Sequence, residues 1–256
     1  AYPKHHLVVT GDIVDDGQEA QLHAALRYLS PFAGRISICP GNHDFGRLGN
    51  FFEPAAARRF DALLAEPLGQ QVSFSGAGGP AVSVLVDEED PAHRVLLIGL
   101  DSTLETVDLS DFARGEVGAE TLAEVEGLLT SEAALDMARV VFLHHHPFLD
   151  HDPFMALGDA EALLETLSGR VDALLFGHAH HADHWRDRHG IAHLLCADTL
   201  RSASWVWELV IERVAGCRQA AHVVAKGRAG VAVAAVERPS LVLIIRVEAC
   251  HLVLLS

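Results

Sequence analysis

The sequence predicts an α/β protein with mixed sheets, because short apolar strands alternate with amphipathic helices in the first part of the chain. His5–Thr10 predicts a buried strand, Gln18–Ser30 has apolar residues at helical spacing, and Arg35–Cys39 predicts a second strand. Two more apolar runs, Ala81–Val86 and Arg94–Leu100, flank a polar segment and predict a hairpin. Helices and strands in alternation, with hairpins between them, are typical of this fold class.

The later elements follow from the same two periodicities. Three segments carry apolar residues at helical spacing and predict helices: Phe51–Ala65, Gly118–Leu129 and Asp159–Leu167. Four short apolar runs predict further strands: Ala138–Leu143, Val171–Phe176, Ile191–Cys196 and Trp205–Ile211. The first two of these strands run directly into histidine-rich segments.

The 256 residues are enough for one large domain with a sizeable core. We expect one domain over residues 1–216, because no linker or internal repeat interrupts it. Residues 217–256 differ in composition: they are rich in Ala and Val and hold only 2 of the 35 acidic residues. Val231–Val236 and Leu241–Val247 could form strands there, so we expect an atypical extension packed on the same domain.

Composition excludes several classes of protein. Half of the residues are hydrophobic and 21% are charged, which is typical of a globular chain. No apolar run is long enough for a membrane span, and no export signal is visible at the N-terminus. The four dispersed cysteines favour a reducing compartment, so we expect a cytoplasmic protein. A net charge of -16 does not favour binding to nucleic acid. The oligomeric state stays open.

Histidine distribution gives the first indication of function, since ten of the 17 histidines lie between residues 144 and 193. Imidazole is the commonest metal ligand in proteins. Four motifs with polar side chains each stand where an apolar strand ends: Gly11-Asp12 with Asp15, Gly41-Asn42-His43-Asp44, His144-His145-His146-Pro147 and Gly177-His178-Ala179-His180. Because strand carboxyl ends point into one crevice in α/β folds, these motifs could meet at one point.

Taken singly, each motif has a simple structural explanation as a turn, a polar loop or a solvated strand end. Together they offer a carboxylate, an amide oxygen and several imidazoles. This set of oxygen and nitrogen ligands suits Mn, Fe, Zn, Co or Ni. The sequence has no Gly-x-Ser-x-Gly nucleophile motif and no P-loop, so phosphate binding would depend on bound metal.

The segments VVTGDIVDDG, ICPGNHDFG, VFLHHHPF and LLFGHAHH resemble the calcineurin-like metallophosphoesterases over roughly residues 5–200. The resemblance is nearest to the bacterial branch that cleaves cyclic nucleotides and glycerophosphodiesters. It implies a sandwich of two mixed sheets flanked by helices, with two divalent transition-metal ions between strand ends. A hydroxide that bridges the ions would attack a small phosphoester substrate. A phosphodiester is the first expectation, and another phosphoester such as a lipid-linked pyrophosphate is the second.

The resemblance also implies residue roles. Asp12 would bridge both ions, one site would be completed by Asn42, His144 and His178, and His180 would ligate the second ion. His43 would stand beside the scissile phosphate as proton donor or charge stabiliser, and Asp44 would orient it.

The triple-histidine run leaves the ligand register open. His144 follows the strand directly and is the expected ligand, but a shift of one residue would exchange it with His145. We expect His146 to lie behind the ligands or on the surface.

One departure from the family bears on the second metal site. The family opens with a strand that ends in Asp-x-His, and no such motif precedes Gly11. We therefore expect a sandwich that lacks its usual first strand, with one complete metal site and one impaired site. The alternative function is a metal-binding scaffold without catalytic activity.

Overall fold

The computed structural model describes residues 5–47, 49, 51–75, 79–88, 90–105, 113–149, 151–197, 205–212, 220–227 and 243–248. The helices are α1 (Glu19–Leu29), α2 (Pro54–Phe60), α3 (Ala119–Thr130), α4 (Glu132–Leu135) and α5 (Ala160–Leu167). The strands are β1 (His5–Thr10), β2 (Ile36–Cys39), β3 (Gly46–Arg47), β4 (Phe51–Phe52), β5 (Ala81–Val86), β6 (Arg94–Gly99), β7 (Ala138–Phe142), β8 (Ala173–Phe176), β9 (Asp183–Arg188), β10 (Ile191–Cys196), β11 (Trp205–Glu212), β12 (Ala220–Gly227) and β13 (Leu243–Glu248).

Two mixed sheets form the body of the fold, as the sequence predicts. The six-stranded sheet has the order β5-β6-β7-β8-β10-β9, with parallel strands in its centre and antiparallel strands at both edges. The five-stranded sheet has the order β12-β11-β13-β1-β2. In it β1 pairs with β2 in parallel and with β13 in antiparallel orientation. A short hairpin of β3 and β4 stands apart.

The core is divided into layers by the alternation of side chains along the strands. On β7, Val140 and Phe142 pack between the two sheets, whereas Val141 packs under α3 and α5. On β1, Val8 faces the other sheet and Leu7 packs under α1 and α2. Because successive side chains of a strand point to opposite faces, each sheet can bury both faces. The layers are therefore helix, sheet, sheet and helix.

The helix predicted over Phe51–Ala65 differs from the structure at its start. Phe51 and Phe52 form β4, and the helix begins at Pro54. Proline suits the first turn of a helix because its missing N–H would have no intrahelical partner there. After Phe60 the helix continues as one π-helical turn over Asp61–Ala65.

The C-terminal 40 residues contribute two strands to the five-stranded sheet. β13 lies between β1 and β11, and β12 pairs with β11. β13 covers most of the strand predicted over Leu241–Val247, and Val231–Val236 lies outside the described residues. The domain boundary near residue 216 stays a prediction. No helix in the described part of the chain has the length and apolar character to cross a membrane.

Candidate metal centre

The four polar motifs meet at the carboxyl ends of β1, β2, β7 and β8. Side-chain atoms of Asp12, His144 and His178 that could bind a metal all lie within 4.8 Å of one another, and all three residues are buried. The Nε2 atom of His144 is 3.0 Å from Nδ1 of His178, 3.1 Å from Oδ1 of Asn42 and 3.4 Å from Oδ1 of Asp12. The structure thus brings together four of the five residues predicted as ligands.

Backbone hydrogen bonds behind the cluster fix which atoms face it. Nδ1 of His144 lies 2.8 Å from the carbonyl oxygen of Thr10. A carbonyl can only accept, so Nδ1 carries the proton and the lone pair of Nε2 faces the cluster. Nδ2 of Asn42 donates to the carbonyl of Gly49 at 2.8 Å, which turns Oδ1 of Asn42 toward His144.

The spacing of these atoms fits a transition-metal ion. Bonds of about 2.0–2.2 Å from nitrogen or oxygen to a divalent ion place neighbouring ligand atoms about 3.0–3.4 Å apart. The three separations from His144 Nε2 lie in that range. Two imidazoles, a carboxylate and an amide oxygen form the donor set that borderline divalent ions accept. The residues present therefore fit a metal site.

Burial keeps His178 in the form that a ligand needs. Removal from water lowers the pKa of His178 well below its usual value, and the neighbouring imidazoles of His145 and His144 lower it further. The ring is therefore neutral at pH 7.

His178 has a φ of 69°, and Asp12 has a φ of 51°. Residues other than glycine seldom adopt this left-handed conformation, and such strain collects at functional sites.

Glycine is required where the loops touch the cluster. A Cβ atom on Gly41 would collide with the carboxylate and the backbone nitrogen of Asp12. A Cβ atom on Gly11 would lie 2.7 Å from Nδ1 of His144, and Gly11 has a φ of +84°. These two glycines let the ends of β1 and β2 approach the ligands closely.

His43 stands at the border of the cluster and is held by Asp15. The backbone N–H of His43 donates to Oδ1 of Asp12 at 3.1 Å. Its Nδ1 lies 3.0 Å from the carbonyl oxygen of Asp15 and 3.6 Å from Oδ1 of that residue. No role was predicted for Asp15, although its place three residues after Asp12 in the first motif was a usable signal.

Asp44 contacts backbone rather than the His43 ring, which differs from the expected orienting contact. Its carboxylate accepts the N–H groups of Gly41 and Val14, both at 2.8 Å, and so ties together the loops after β1 and β2. Burial raises the pKa of Asp44, and the charge of Asp12 raises it further. Asp44 is close to the centre, but the catalytic role assigned to it stays a prediction.

His180, expected to bind the second ion, is exposed and lies outside the cluster that Asp12, His144 and His178 form among the described residues. Its charge is near enough to influence His178. Its φ of 56° is also left-handed. The role of His180 as ligand of a second ion stays a prediction.

The register of the triple-histidine run is resolved by the contacts of its members. His144 joins the ligand cluster, whereas Nδ1 of His145 lies 2.9 Å from the hydroxyl oxygen of Ser102. His146 is buried in an aromatic cluster, with its ring centroid 4.7 Å from Phe176 and 5.6 Å from Trp185. Sequence reasoning missed Ser102, although its place just after the apolar run Arg94–Leu100 was a usable signal.

A two-sheet sandwich with this donor set at its strand ends defines a metal-dependent hydrolase of the metallophosphoesterase class. The chain belongs to the calcineurin-like phosphoesterase family, whose model matches residues 2–182. The resemblance of the four motifs to this family is thereby confirmed, and membership indicates metal-dependent hydrolysis of a phosphoester.

Among solved structures the chain is similar to a crystal structure of a dimetal phosphatase from Danio rerio. The two sequences are 16% identical, the TM-score is 0.47, and the match covers 75% of this chain and 71% of that chain. No curated protein matches the sequence.

Proposed function

We propose that this chain hydrolyses a small phosphodiester with the help of two divalent transition-metal ions. The observation that carries the proposal is the convergence of ligand atoms from Asp12, Asn42, His144 and His178, which leaves nitrogen and oxygen lone pairs facing one point. Such ions would polarise the phosphoryl group and supply hydroxide from water at neutral pH. Asp12 would contact both ions, and His180 would serve the second.

His43 would support departure of the leaving group. Because the carbonyl of Asp15 accepts the proton on Nδ1, Nε2 is the nitrogen left to hold a transferable proton. The Asp15 carboxylate, 3.6 Å from Nδ1, would stabilise the ring when both nitrogens are protonated. Proton transfer to the leaving oxygen by a positioned histidine contributes about 10²–10⁴-fold to rate.

The proposed substrate is a cyclic nucleotide or glycerophosphodiester, with other phosphoesters second. The support is the resemblance of the four motifs to that branch of the family. The chain has a net charge of -16. The bound ions would supply the positive charge that attracts an anionic substrate, so a basic protein surface is not required for substrate binding. We propose no nucleic-acid or membrane partner. The buried free thiols of Cys39 and Cys196 suit a reducing compartment such as the cytoplasm.

A second candidate is metal binding without catalysis. It is favoured by one observation: within the described ranges, His180 is exposed and is not a member of the cluster of Asp12, His144 and His178. This candidate predicts that Mn²⁺ binds near Asp12 and produces no turnover.

The test compares bis-(p-nitrophenyl) phosphate with p-nitrophenyl phosphate in the presence of Mn²⁺, and repeats it with Fe²⁺, Zn²⁺, Co²⁺ and Ni²⁺. We expect metal-dependent turnover of the diester that exceeds turnover of the monoester. His43→Ala should lower the rate by about 100-fold or more. The matched control is His23→Ala, which removes an exposed histidine on α1 and should leave the rate unchanged.

Three results would contradict parts of the proposal. Faster turnover of the monoester would make the chain a phosphatase. Binding of each ion without turnover would favour the non-catalytic candidate. A rate loss in His23→Ala equal to that in His43→Ala would remove the role proposed for His43.

A further inference from the structure

Behind the ligand cluster lies a histidine to which the proposed function gives no task. His145 is completely buried, and its ring centroid is 4.6 Å from that of His178 and 5.0 Å from that of His144. It therefore contacts the rings of both predicted histidine ligands. Side chains that hold ligands from behind are commonly needed for tight metal binding.

Ser102 forms hydrogen bonds with both the backbone and the ring of His145. The backbone N–H of His145 donates to the Ser102 hydroxyl oxygen at 3.3 Å, and the same oxygen is 2.9 Å from Nδ1 of the ring. A hydroxyl has one proton and two lone pairs, so it can accept the amide proton and also pair with Nδ1. Ser102 is itself fully buried, so this arrangement is shielded from water.

A second segment closes the other side of the ring. A Cβ atom on Gly115 would collide with the His145 ring, so only glycine fits there. The N–H of Glu116 donates to the Ser102 carbonyl at 3.1 Å, and Gly115 forms β-bridges with Thr103 and Leu157. The His145 ring is therefore enclosed between this segment and the two ligand rings.

We propose that His145 is a positioning residue of the metal centre: Ser102 locks its ring, and that ring holds His144 and His178 in their ligating orientations. The proposal rests on the proposed function only in taking His144 and His178 as ligands. It predicts that a change at His145 alters metal binding without removing any ligand atom.

The test measures Co²⁺ binding to the full chain and records the visible absorption spectrum of bound Co²⁺, which reports ligand geometry. His145→Phe keeps a ring of similar size and loses both ring nitrogens. We expect about 10- to 100-fold weaker Co²⁺ binding and a changed spectrum. The matched control is His146→Phe. That residue is equally buried and adjacent in sequence, but its described ring contacts are with Phe148, Phe176, His181 and Trp185. It should bind Co²⁺ as the unchanged chain does.

A double-mutant cycle separates positioning from general damage. Ser102→Ala should weaken Co²⁺ binding several-fold in the unchanged chain and have no further effect in His145→Phe, because Ser102 acts through His145. Thermal unfolding without metal should show that His145→Phe and His146→Phe are folded and similar in stability.

The outcomes distinguish the two proposals. If the unchanged chain binds no Co²⁺, the proposed function fails. If it binds Co²⁺ and His145→Phe binds equally well with the same spectrum, the positioning role fails and the proposed function stands. Equal losses in His145→Phe and His146→Phe would also overturn the positioning role. Should His145→Phe not fold, Ser102→Ala alone decides: unchanged Co²⁺ affinity and spectrum would overturn the proposal.

Discussion

The two ends of strand β1 each bring a histidine ring against polar neighbours, with opposite results. At the start of the strand, Nε2 of His6 lies 2.9 Å from the hydroxyl of Ser37 on β2, so a ring nitrogen is occupied by a neutral neighbour. At its far end, the carbonyl of Thr10 takes the Nδ1 proton of His144 and leaves Nε2 facing the carboxylate of Asp12. A histidine shielded from water is therefore a candidate metal ligand only when its partners leave a lone pair directed at other ligand atoms.

Loss of Asp12, at the carboxyl end of β1, should reduce metal binding more than any of the other substitutions. Asp12→Ala removes the only described carboxylate of the ligand cluster. Because loss of an outer partner alone weakens metal binding about 10- to 100-fold, loss of a ligand should weaken it more than about 100-fold. Mn²⁺ titration by calorimetry and diester hydrolysis measure the effect.

Asp136→Ala is the matched control for Asp12→Ala. Asp136 is an exposed carboxylate just before β7, at the opposite end of that strand from His144. We expect metal binding and activity to be unchanged. If Asp12→Ala bound Mn²⁺ as tightly as this control, the assignment of the metal centre would be wrong.

A smaller loss is expected when the close approach of the loops is disturbed. A methyl group at position 41 would overlap the carboxylate and backbone nitrogen of Asp12, so Gly41→Ala must displace a ligand. We expect metal affinity to fall about 10- to 100-fold, as for loss of a ligand's supporting partner. Calorimetric titration with Mn²⁺ measures it.

Gly127→Ala is the matched control for Gly41→Ala, because it makes the same substitution away from the metal centre. Gly127 lies inside α3, and nothing stands within 4 Å of the position of its Cβ. Alanine there should raise the free energy of unfolding by about 0.5–1 kcal/mol, since glycine is unfavourable inside a helix. Metal affinity should stay the same. Equal affinity in Gly41→Ala and Gly127→Ala would contradict the close-approach argument.

The sequence predicted the strand ends better than the contacts made there. Residues that follow a buried strand directly, such as Asp12 and His144, are placed by the strand itself, and the two-period alternation fixes which way they point. The two-sheet sandwich is confirmed for a related reason: most of its strands are apolar runs, although the polar strand β9 was not predicted. The convergence of Asp12, Asn42, His144 and His178 needed two conditions. Parallel strands end at one edge of a sheet, and the two sheets place those edges side by side.

The partners of the site residues could not be predicted, because loop conformation decides which groups meet, whether they are near or far along the chain. Asn42 is oriented by the carbonyl of Gly49, and His145 is held by Ser102, 43 residues away. His43 contacts Asp15 rather than its neighbour Asp44, since the turn directs the Asp44 carboxylate back onto the amides of Gly41 and Val14. Such choices depend on loop geometry, which leaves little trace in residue order.

The smallest expected effect is a change in the pH dependence of stability, and it comes from His6 at the start of β1. Burial, with a contribution from the Arg35 charge, lowers the pKa of His6 from 6.5 to about 4. Below pH 6.5 the unfolded chain takes up a proton at this residue that the folded chain does not bind. The free energy of unfolding should therefore fall as pH drops from 7 toward 4, and this stabilisation is fully present above pH 6.5.

His6→Gln isolates that contribution, because glutamine can keep a hydrogen bond to Ser37 but does not titrate. Between pH 7 and pH 5.5, the unfolding free energy of the unchanged chain should fall by about 1 kcal/mol more than that of His6→Gln, after allowance for partial exposure. Urea unfolding at both pH values, with EDTA present so that metal release does not contribute, measures the difference. His23→Gln, at an exposed histidine, should follow the unchanged chain. Parallel pH curves for the unchanged chain and His6→Gln would show that His6 binds a proton in the folded state. Burial at the start of β1 would then not disfavour the protonated form of the His6 ring.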